Sequence, residues 1–367
     1  MKKHIAQNLP VAMYHYVNRW PGGITLSPEG FEDHCKTLAE RGWRGIGLEE
    51  AEAFLIHGEP LPERSFLFTF DDGFLDNYLY GQPILHKYGH RGVVFAVSSR
   101  LERGEETRAA LDAVLAGTAA IPPQVDRPLR TTAQGFTVRE DVFLNHAEAR
   151  LMDGRGIVRL ASHSRGHFGV FTGPEFTDFV RPGDCSRTFY RTESEPAFGL
   201  PDFPVKAGLL HRGFIPSPEL VRDVVELVPQ SFDDAAAFFA EPASVEALRK
   251  LVGAHAGKMG RFETDDERRE RMWRELSGGK AELEAILGRK VRTLCWPWGH
   301  YGEEAFRLAR EAGFELFFTT KEGVNPPGRP DAVHRFKGKD KKGSWLASRA
   351  WLYSRPLIGG MYARLRM

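Results

Sequence analysis

Short apolar runs of strand length alternate with segments of helix length over much of the chain. Pro10 to Val17 and Phe66 to Phe70 are runs rich in apolar and aromatic residues, which predicts buried strands. Ser27 followed by Pro28 is typical of an N-cap and the first residue of a helix. Strands alternating with helices indicate parallel βα units. Further strands are predicted at 92–97, 157–161, 291–296 and 314–319, and further helices at 49–56, 75–88, 271–287 and 303–312.

This alternation is interrupted twice. Between 100 and 156 it loosens, and the pattern predicts helices at 102–116 and 138–152. Residues 169–269 are first rich in Pro and Phe and then helical, which indicates a large, mostly helical insertion or cap. A chain of 367 residues can form one α/β barrel with such insertions. The predicted units are a discontinuous barrel (8–168 and 270–336), the insertion (169–269) and a C-terminal tail (337–367).

The apolar run at Phe66 to Phe70 ends abruptly in two adjacent carboxylates, Asp71 and Asp72, followed by Gly73. Two like charges this close raise each other's pKa unless a positive charge lies between them. A divalent metal would meet that need, with one carboxylate as its ligand and the other as a base. The alternative is an Asp-rich turn, because Asp and Gly are common turn residues.

Three other segments with candidate site residues also follow predicted strands: His15, the pair His163 and His167, and the turn 297–299. In a parallel barrel the carboxyl ends of the strands share one face, where active sites form. The histidine pair lacks the glutamate of an HExxH helix, so it is not a zincin motif. Together with a carboxylate from another strand end it would fill three metal positions and leave others open, as in catalytic zinc sites.

The sequence motifs at these strand ends resemble those of the polysaccharide deacetylase family, the NodB-homology domain of carbohydrate esterase family 4. Thr69 to Gly73 reads TFDDG, and His163 to His167 reads HSRGH, an H-[S/T]-x-x-H motif. Trp296 to Gly299 (WPWG) and Met13 to Tyr16 (MYHY) resemble the biofilm poly-N-acetylglucosamine deacetylases, a subgroup with permuted motifs. The likeness covers roughly 8–100, 155–168 and 270–336.

The resemblance implies a distorted (β/α) barrel of the NodB type and a metal-dependent N-deacetylase acting on an amino sugar in a glycan or lipid-linked saccharide. By the same resemblance, Asp71 would be the general base and His15 the general acid, with His334 as a rival acid. The metal would be zinc, with cobalt, nickel or manganese as alternatives. Its ligands would be Asp72, His163 and His167, and the substrate-binding residues Trp296, Pro297, Trp298 and Gly299.

Two family features have no clear counterpart in the sequence. Arg292 and Arg165 are candidates for the arginine that pairs with the base in this family. Trp298 or Trp296 would supply the indole that lines the acetyl pocket, and the other would pack in the core. Two alternatives to the main hypothesis are a hydrolase of another linear amide or of an O-acetyl ester, and a non-catalytic glycan-binding protein that keeps the fold.

The composition limits the possible partners and the cellular location of the protein. A net charge of +1 gives no global signal for binding nucleic acid, and the three widely spaced cysteines (Cys35, Cys185 and Cys295) are no disulfide framework. With no apolar h-region near the N-terminus and no run of 18 apolar residues, the expectation is a cytoplasmic protein. The charged run Glu263 to Glu275 is typical of a solvated helix face.

The tail is the most basic part of the chain, with eight basic residues against the single acid Asp340. Aromatic and aliphatic residues lie between these charges. The pattern fits an element on the anionic inner face of a membrane, or a C-terminal helix packed across the base of the barrel. The basic residues are Lys337, Lys339, Lys341, Lys342, Arg349, Arg355, Arg364 and Arg366.

Overall fold

The centre of the molecule is a parallel sheet of eight strands, in a computed structural model that describes residues 5–131, 137–139, 141–182 and 197–365. The strand order is β7-β6-β5-β4-β3-β1-β8, and β2 pairs with the start of β3. Cys185 and Arg366 lie outside the described residues. The strands are β1 (Val11–Tyr14), β2 (Arg44–Gly45), β3 (Ser65–Asp72), β4 (Gly92–Ala96), β5 (Val158–Ser162), β6 (Thr293–Cys295), β7 (Leu316–Phe318) and β8 (Phe336–Lys337).

The central strands are covered on both faces, because every residue of β3 and β4 is buried. This agrees with their nearly continuous apolar sequence, which is typical of parallel strands packed between helices. All pairings of the sheet are parallel. The carboxyl ends of the strands therefore meet at one end of the molecule.

A short segment before β8 joins the two edges of the sheet. The Val333 N–H donates to the Phe317 carbonyl, and the Arg335 N–H donates to the Lys321 carbonyl. Phe336 then pairs with Ala12 of β1. The curled sheet is thereby closed into a distorted (β/α) barrel, as the sequence predicted.

Fourteen helices accompany the strands in the described residues, and Ser27 caps the first of them by accepting the Gly30 N–H. Two turns of π-helix, Asn77–Gly81 and Arg274–Gly278, precede α3 and α11, and 3₁₀ turns cover Ser98–Arg100 and Pro297–Gly299. The helices are α1 (Pro28–Glu40), α2 (Leu48–His57), α3 (Gln82–Lys87), α4 (Leu111–Leu115), α5 (Pro123–Asp126), α6 (His146–Gly154), α7 (Pro218–Leu227), α8 (Phe232–Ala240), α9 (Pro242–Ala254), α10 (Asp265–Trp273), α11 (Gly279–Leu287), α12 (Glu303–Glu311), α13 (Gly343–Tyr353) and α14 (Pro356–Arg364).

The helices predicted at 102–116 and 138–152 are largely wrong. Only α4 forms in the first range, because the backbone of Glu102 pairs instead with the segment around Asn145. In the second range α6 starts after Asn145, whose side chain caps it by accepting the Glu148 N–H. Long-range pairing therefore replaced local helix formation around Glu102 and in the residues just before Asn145, whereas the helix forms after it.

The insertion has a core of its own. Its described first half consists of short antiparallel pairs: Gly169–Phe171 with Val205–Ala207, and Asp178–Phe179 with Pro201–Asp202. A third pair, Phe214–Pro216 with Gly260–Phe262, encloses helices α7 to α9. The two remaining strand pairs, Tyr16–Val17 with Thr25–Leu26 and Leu129–Thr131 with Thr137–Arg139, lie outside the insertion. The division of the chain into barrel, insertion and tail stays a prediction. The buried apolar residues of the insertion core are Phe179, Phe203, Phe214, Leu220, Val224, Val228, Ala235, Leu248 and Val252.

The tail forms two helices against the barrel. Helix α13 packs along α1 and buries Leu346, Ala350 and Tyr353. Helix α14 follows it, and Gly359 lies close to Val324. No helix in the described ranges is long and apolar enough to span a bilayer.

The charged run at 263–275 is only partly a solvated face. Helix α10 is largely exposed, but one of its residues, Met272, is fully buried in the hydrophobic core. The two ends of the run, Glu263 and Glu275, are also buried, at 7% and 6% exposure. The prediction was wrong at these ends because each carboxylate has buried donors from distant parts of the chain.

Candidate active site

The strand register brings together three of the segments that were predicted to carry site residues. Tyr14 pairs with Phe70, so His15 and Asp71 continue two neighbouring strands. On the other side of β3, Asp72 pairs with Ala96, and Ala96 pairs with Ser162, the residue before His163. These residues are far apart in the sequence but therefore lie close together at one end of the sheet.

Asp71 and Asp72 are both buried, at 2% and 4% exposure. The backbone turns at this point, with positive φ angles at Asp72 (77°) and Gly73 (88°). A Cβ at Gly73 would lie 3.3 Å from the Ala96 side chain, so glycine suits both the conformation and the space. Because the chain turns here, the two adjacent carboxylates have different partners.

Asp71 is held by Arg335. The two guanidinium nitrogens Nη1 and Nη2 donate to Asp71 Oδ1 at 2.6 Å and Oδ2 at 2.9 Å, in a fully buried bidentate pair. Burial alone would raise the pKa of Asp71, but the charge of Arg335 outweighs it and holds the pKa below its ordinary value. Asp71 is therefore ionised, which a general base requires.

Neither arginine proposed from the sequence fills this role. Arg292 donates to Glu52 at 3.0 Å, and Arg165 donates to Glu282 at 2.8 Å. The paired arginine is instead Arg335, which also donates to the Thr319 carbonyl. Arg335 directly follows His334 in the sequence, but its role depends on the segment that closes the barrel, and no local pattern reveals that segment.

Asp72 faces the two histidines of the HSRGH loop. Asp72 Oδ1 lies 3.7 Å from His163 Nε2, and ligand atoms of Asp72, His163 and His167 all lie within 4.8 Å of one another. His163 Nδ1 is 2.9 Å from the Cys295 carbonyl, which only accepts, so Nδ1 carries the proton and Nε2 has the lone pair. Burial lowers the pKa of both histidines, which favours their neutral form.

These features fit a divalent metal. A ligating histidine normally donates its other ring N–H to a carbonyl or carboxylate, as His163 does here. Cys295, Asp71 and His163 form a second group of possible ligands. Arg335, however, contacts both Asp71 and the Cys295 sulfur, the latter at 2.9 Å, so a cation there would meet a guanidinium. The set of Asp72, His163 and His167 is therefore the better candidate.

His15 lies next to the Asp71 carboxylate, with Nε2 3.9 Å from Oδ2. Its backbone carbonyl accepts the side-chain N–H of Asn77, which belongs to the π turn before α3. Burial lowers the pKa of His15 to about 4, against the opposing effect of Asp71, so the ring is neutral at pH 7. The rival His334 instead lines a neighbouring cavity with Tyr301 and Lys321.

The two tryptophans of the WPWG turn occupy different environments. Trp296 is fully buried and stacks between Tyr301 and Phe317, at centroid distances of 4.4 and 5.5 Å. Trp298 is 41% exposed, and its ring lies 5.7 Å from that of His167. A positive φ of 61° turns Trp298 out of the strand direction. Of the two indoles, only Trp298 is open to a ligand beside the candidate metal site.

Solved structures of three deacetylases share this fold. The de-N-acetylase from Aggregatibacter actinomycetemcomitans is 18% identical, with a TM-score of 0.59 over 93% of this chain and 99% of that chain. IcaB from Ammonifex degensii is 18% identical, with a TM-score of 0.55 over 94% and 97%. The BpsB deacetylase domain from Bordetella bronchiseptica is 20% identical, with a TM-score of 0.54 over 90% and 96%. This chain shares the (β/α) barrel fold of these deacetylases.

A local sequence match agrees with the deacetylase fold. The "Putative polysaccharide deacetylase YxkH" of Bacillus subtilis (strain 168) is 32% identical over 93 residues, which are 25% of this chain and 33% of that protein. The match thus spans a third of the relative's own length. No family model matches the chain. The resemblance noted in the sequence motifs is confirmed in fold over most of the chain and in sequence over this shorter region.

Proposed function

We propose that this protein is a metal-dependent hydrolase that removes the N-acetyl group from an amino sugar in a glycan. The observation that carries the proposal is the adjacency of two differently partnered carboxylates. Asp71 is paired with Arg335, and Asp72 lies with His163 and His167. Asp71 would thus serve as an ionised base, and Asp72 would bind a metal together with the two histidines.

Zinc is the metal that we propose, because two neutral imidazoles and one carboxylate are a ligand set typical of catalytic zinc. Cobalt, nickel and manganese remain the alternatives. Asp72, His163 and His167 would hold the ion. When bound, it would lower the pKa of a water molecule and polarise the acetamide carbonyl.

The residues of the chain would move the proton. Asp71 Oδ2 would accept it from the attacking water, since Arg335 keeps this carboxylate ionised. His15 Nε2, 3.9 Å away and neutral at pH 7, could then receive the proton and give it to the departing amine nitrogen. The buried backbone around His15, fixed by Asn77, would keep the ring in place during both transfers.

The substrate side of the site is open. The exposed Trp298, in the same turn as the buried Pro297 and Gly299, offers a flat apolar surface beside His167. Gly299 also lines the adjoining cavity of about 670 Å³, together with His300, Tyr301 and Lys321. A concave site of this size with a few polar groups suits a sugar unit.

The experiment that tests this function measures acetate and free amine together. Zinc-loaded protein would be incubated with an N-acetylated chito-oligosaccharide and, separately, with an O-acetylated saccharide. The proposal predicts equal amounts of acetate and amine from the first substrate. Acetate from the O-acetylated substrate alone would favour an esterase, and no product from protein that holds its metal would favour a non-catalytic glycan-binding role.

We also propose that the tail contacts an anionic membrane surface. One face of α14 together with the residue after the helix, formed by Leu357, Ile358, Met361 and Leu365 and called here the α14 face, leaves its side chains 45–85% exposed. Apolar side chains flanked by basic ones are typical of helices that lie in a bilayer interface. Arg355 stacks over the exposed Trp351 at its edge, and the two line a cavity with Arg41, Arg64 and the acid Glu63.

The position of this surface bears on the substrate. Arg64 directly precedes β3, and Asp71 lies near the other end of that eight-residue strand, roughly 23 Å away at about 3.3 Å per residue. A bilayer at this end would leave the site facing away from it. A glycan that reaches the site from solution is therefore a better fit than a sugar whose lipid lies in the same membrane.

Flotation with vesicles tests the membrane contact. The full chain and the double variant Leu357→Ser/Leu365→Ser would be mixed with phosphatidylserine-containing vesicles and with neutral vesicles. We expect the wild type to float with the anionic vesicles only, and the variant to stay in the dense fraction. Equal behaviour of the two proteins would contradict the proposal, and a change from dimer to monomer in the variant would assign the α14 face to a second copy.

A further inference from the structure

Glu275 is a buried carboxylate that the mechanism above does not use. It is 6% exposed and lies in the π turn Arg274–Gly278, between helices α10 and α11. π turns within helices are frequent at functional sites, because the extra residue re-aims the side chains around it. This turn lies directly behind the loop that carries His163 and His167.

Three hydrogen bonds join Glu275 to that loop. Its Oε2 accepts the Ser164 hydroxyl at 2.9 Å and the Gly166 N–H at 2.9 Å. Its backbone carbonyl accepts the Arg165 N–H at 3.0 Å. The Ser164 oxygen in turn accepts the His167 N–H at 3.2 Å, so a continuous chain runs from the carboxylate to His167.

The loop needs such support because its backbone is strained. Ser164 and His167 have φ angles of 65° and 57°, in a region that non-glycine residues rarely adopt. Strained residues of this kind persist only where their surroundings hold them in place. The helix also packs tightly on the loop, since a Cβ at Gly279 would lie 2.6 Å from the Arg165 nitrogen.

We infer that Glu275 is a positioning residue that sets the metal affinity of the site by holding His163 and His167 in their ligating geometry. The inference rests on the proposed metal site and extends it to a residue outside the family motifs. The carboxylate acts through Ser164 and the loop backbone and does not touch the metal or the substrate. Glutamine at this position keeps one acceptor oxygen but loses the negative charge, so the hydrogen bonds from Ser164 and Gly166 become weaker neutral ones.

Glu263 provides a matched control. It is 7% exposed, lines the same cavity as Glu275, and accepts the Gly213 N–H at 2.7 Å. Arg271 donates to it at 2.6 Å, so this carboxylate fixes the insertion rather than the histidine loop. Glu263→Gln therefore changes a buried glutamate of similar environment without touching the hydrogen bonds of Ser164 and Gly166.

The test is a zinc titration of the full chain against a competing chelator, for the wild type, Glu275→Gln and Glu263→Gln. Loss of groups that orient metal ligands typically costs about 10–100-fold in metal affinity. We expect Glu275→Gln to raise the zinc Kd by that factor, and Glu263→Gln to raise it less than about threefold. The visible spectrum of the cobalt-loaded protein should shift in Glu275→Gln only, because it reports the ligand geometry.

Equal zinc Kd values for Glu275→Gln and Glu263→Gln would overturn the inference while leaving the proposed function in place. A wild type that binds no divalent metal would overturn both. If Glu275→Gln does not fold, Ser164→Ala keeps the carboxylate and removes only the hydroxyl that links it to His167. That variant should still raise the zinc Kd several-fold, and an unchanged Kd would overturn the inference.

Discussion

The carboxyl ends of the barrel strands and the α14 face depart from ordinary folding rules in opposite ways. At the strand ends, charged groups are buried and the backbone is strained. Four non-glycine residues there have positive φ angles: Asp72, Ser164, His167 and Trp298. On the α14 face the backbone is regular helix, but Leu357, Met361 and Leu365 are 68–85% exposed.

The two regions depend on their neighbours in different ways. A buried charge is tolerated only when partners satisfy it, so the site depends on a connected set that includes Arg335, Cys295 and Asn77. An exposed apolar side chain depends on nothing inside the molecule. Substitutions should therefore have large internal effects at the strand ends, whereas on the α14 face they should change only what binds to it.

The largest expected effect is on the chemical step. Asp71→Asn keeps the shape of the side chain but removes the charge that accepts the proton. General-base catalysis typically contributes about 10²–10⁴-fold, so we expect kcat to fall by that factor. The measurement is acetate release by the zinc-loaded variant, with its zinc content determined in parallel. Activity within tenfold of the wild type, at full metal content, would exclude Asp71 as the base.

The next effect compares two arginines. Arg335→Met leaves Asp71 as an unpaired buried charge, which typically costs about 3–5 kcal/mol of unfolding free energy. Arg355→Met removes a half-buried surface arginine that stacks on Trp351, and surface changes usually stay within about 0.5 kcal/mol. Urea denaturation of both variants measures the difference. Similar unfolding free energies would mean that the Asp71–Arg335 pair is not formed in solution.

We expect the two tryptophans of the WPWG turn to have different roles, one in stability and the other in substrate binding. Trp296→Ala removes a fully buried ring and should cost about 3–5 kcal/mol of stability. Trp298→Ala should leave the unfolding free energy nearly unchanged but raise KM for the oligosaccharide about tenfold, with a smaller change in kcat. Steady-state kinetics and denaturation of both variants provide the check. A KM for Trp298→Ala equal to that of the wild type would remove this indole from the substrate site.

The smallest effect is expected on the α14 face. The variant Leu357→Ser/Leu365→Ser should change kcat/KM for a soluble oligosaccharide by less than about twofold, since these side chains make few internal contacts. The same kinetic assay measures it. A large loss of activity in solution would show that α14 supports the barrel, and the contrast between the two regions would then fail.

Sequence reasoning found the parts of the site that are local in the chain. The strand that runs into Asp71 and Asp72, the HSRGH loop and His15 each combine an apolar run with a polar end, and one stretch of sequence contains the whole signal. Because the carboxyl ends of parallel strands share one face, the sequence alone places these stretches together.

The missed parts depend on distant contacts. Arg335 reaches Asp71 only because the segment before β8 closes the barrel, so Arg292 and Arg165 were equally plausible from the sequence. Glu275 sits in a charged run that is typical of a solvated helix, and only the packed loop reveals its burial. The prediction of a helix at 102–116 was largely wrong because the backbone of Glu102 pairs with that of Asn145, which is 43 residues away in the sequence.

The most direct test of the account is metal dependence of acetate release. Protein stripped by a chelator would be titrated with zinc while acetate from a chito-oligosaccharide is followed. We expect no activity without metal, a rise that saturates at one zinc per chain, and no recovery in Asp72→Ala. Activity that persists in fully stripped protein, or that zinc restores equally in Asp72→Ala, would contradict it.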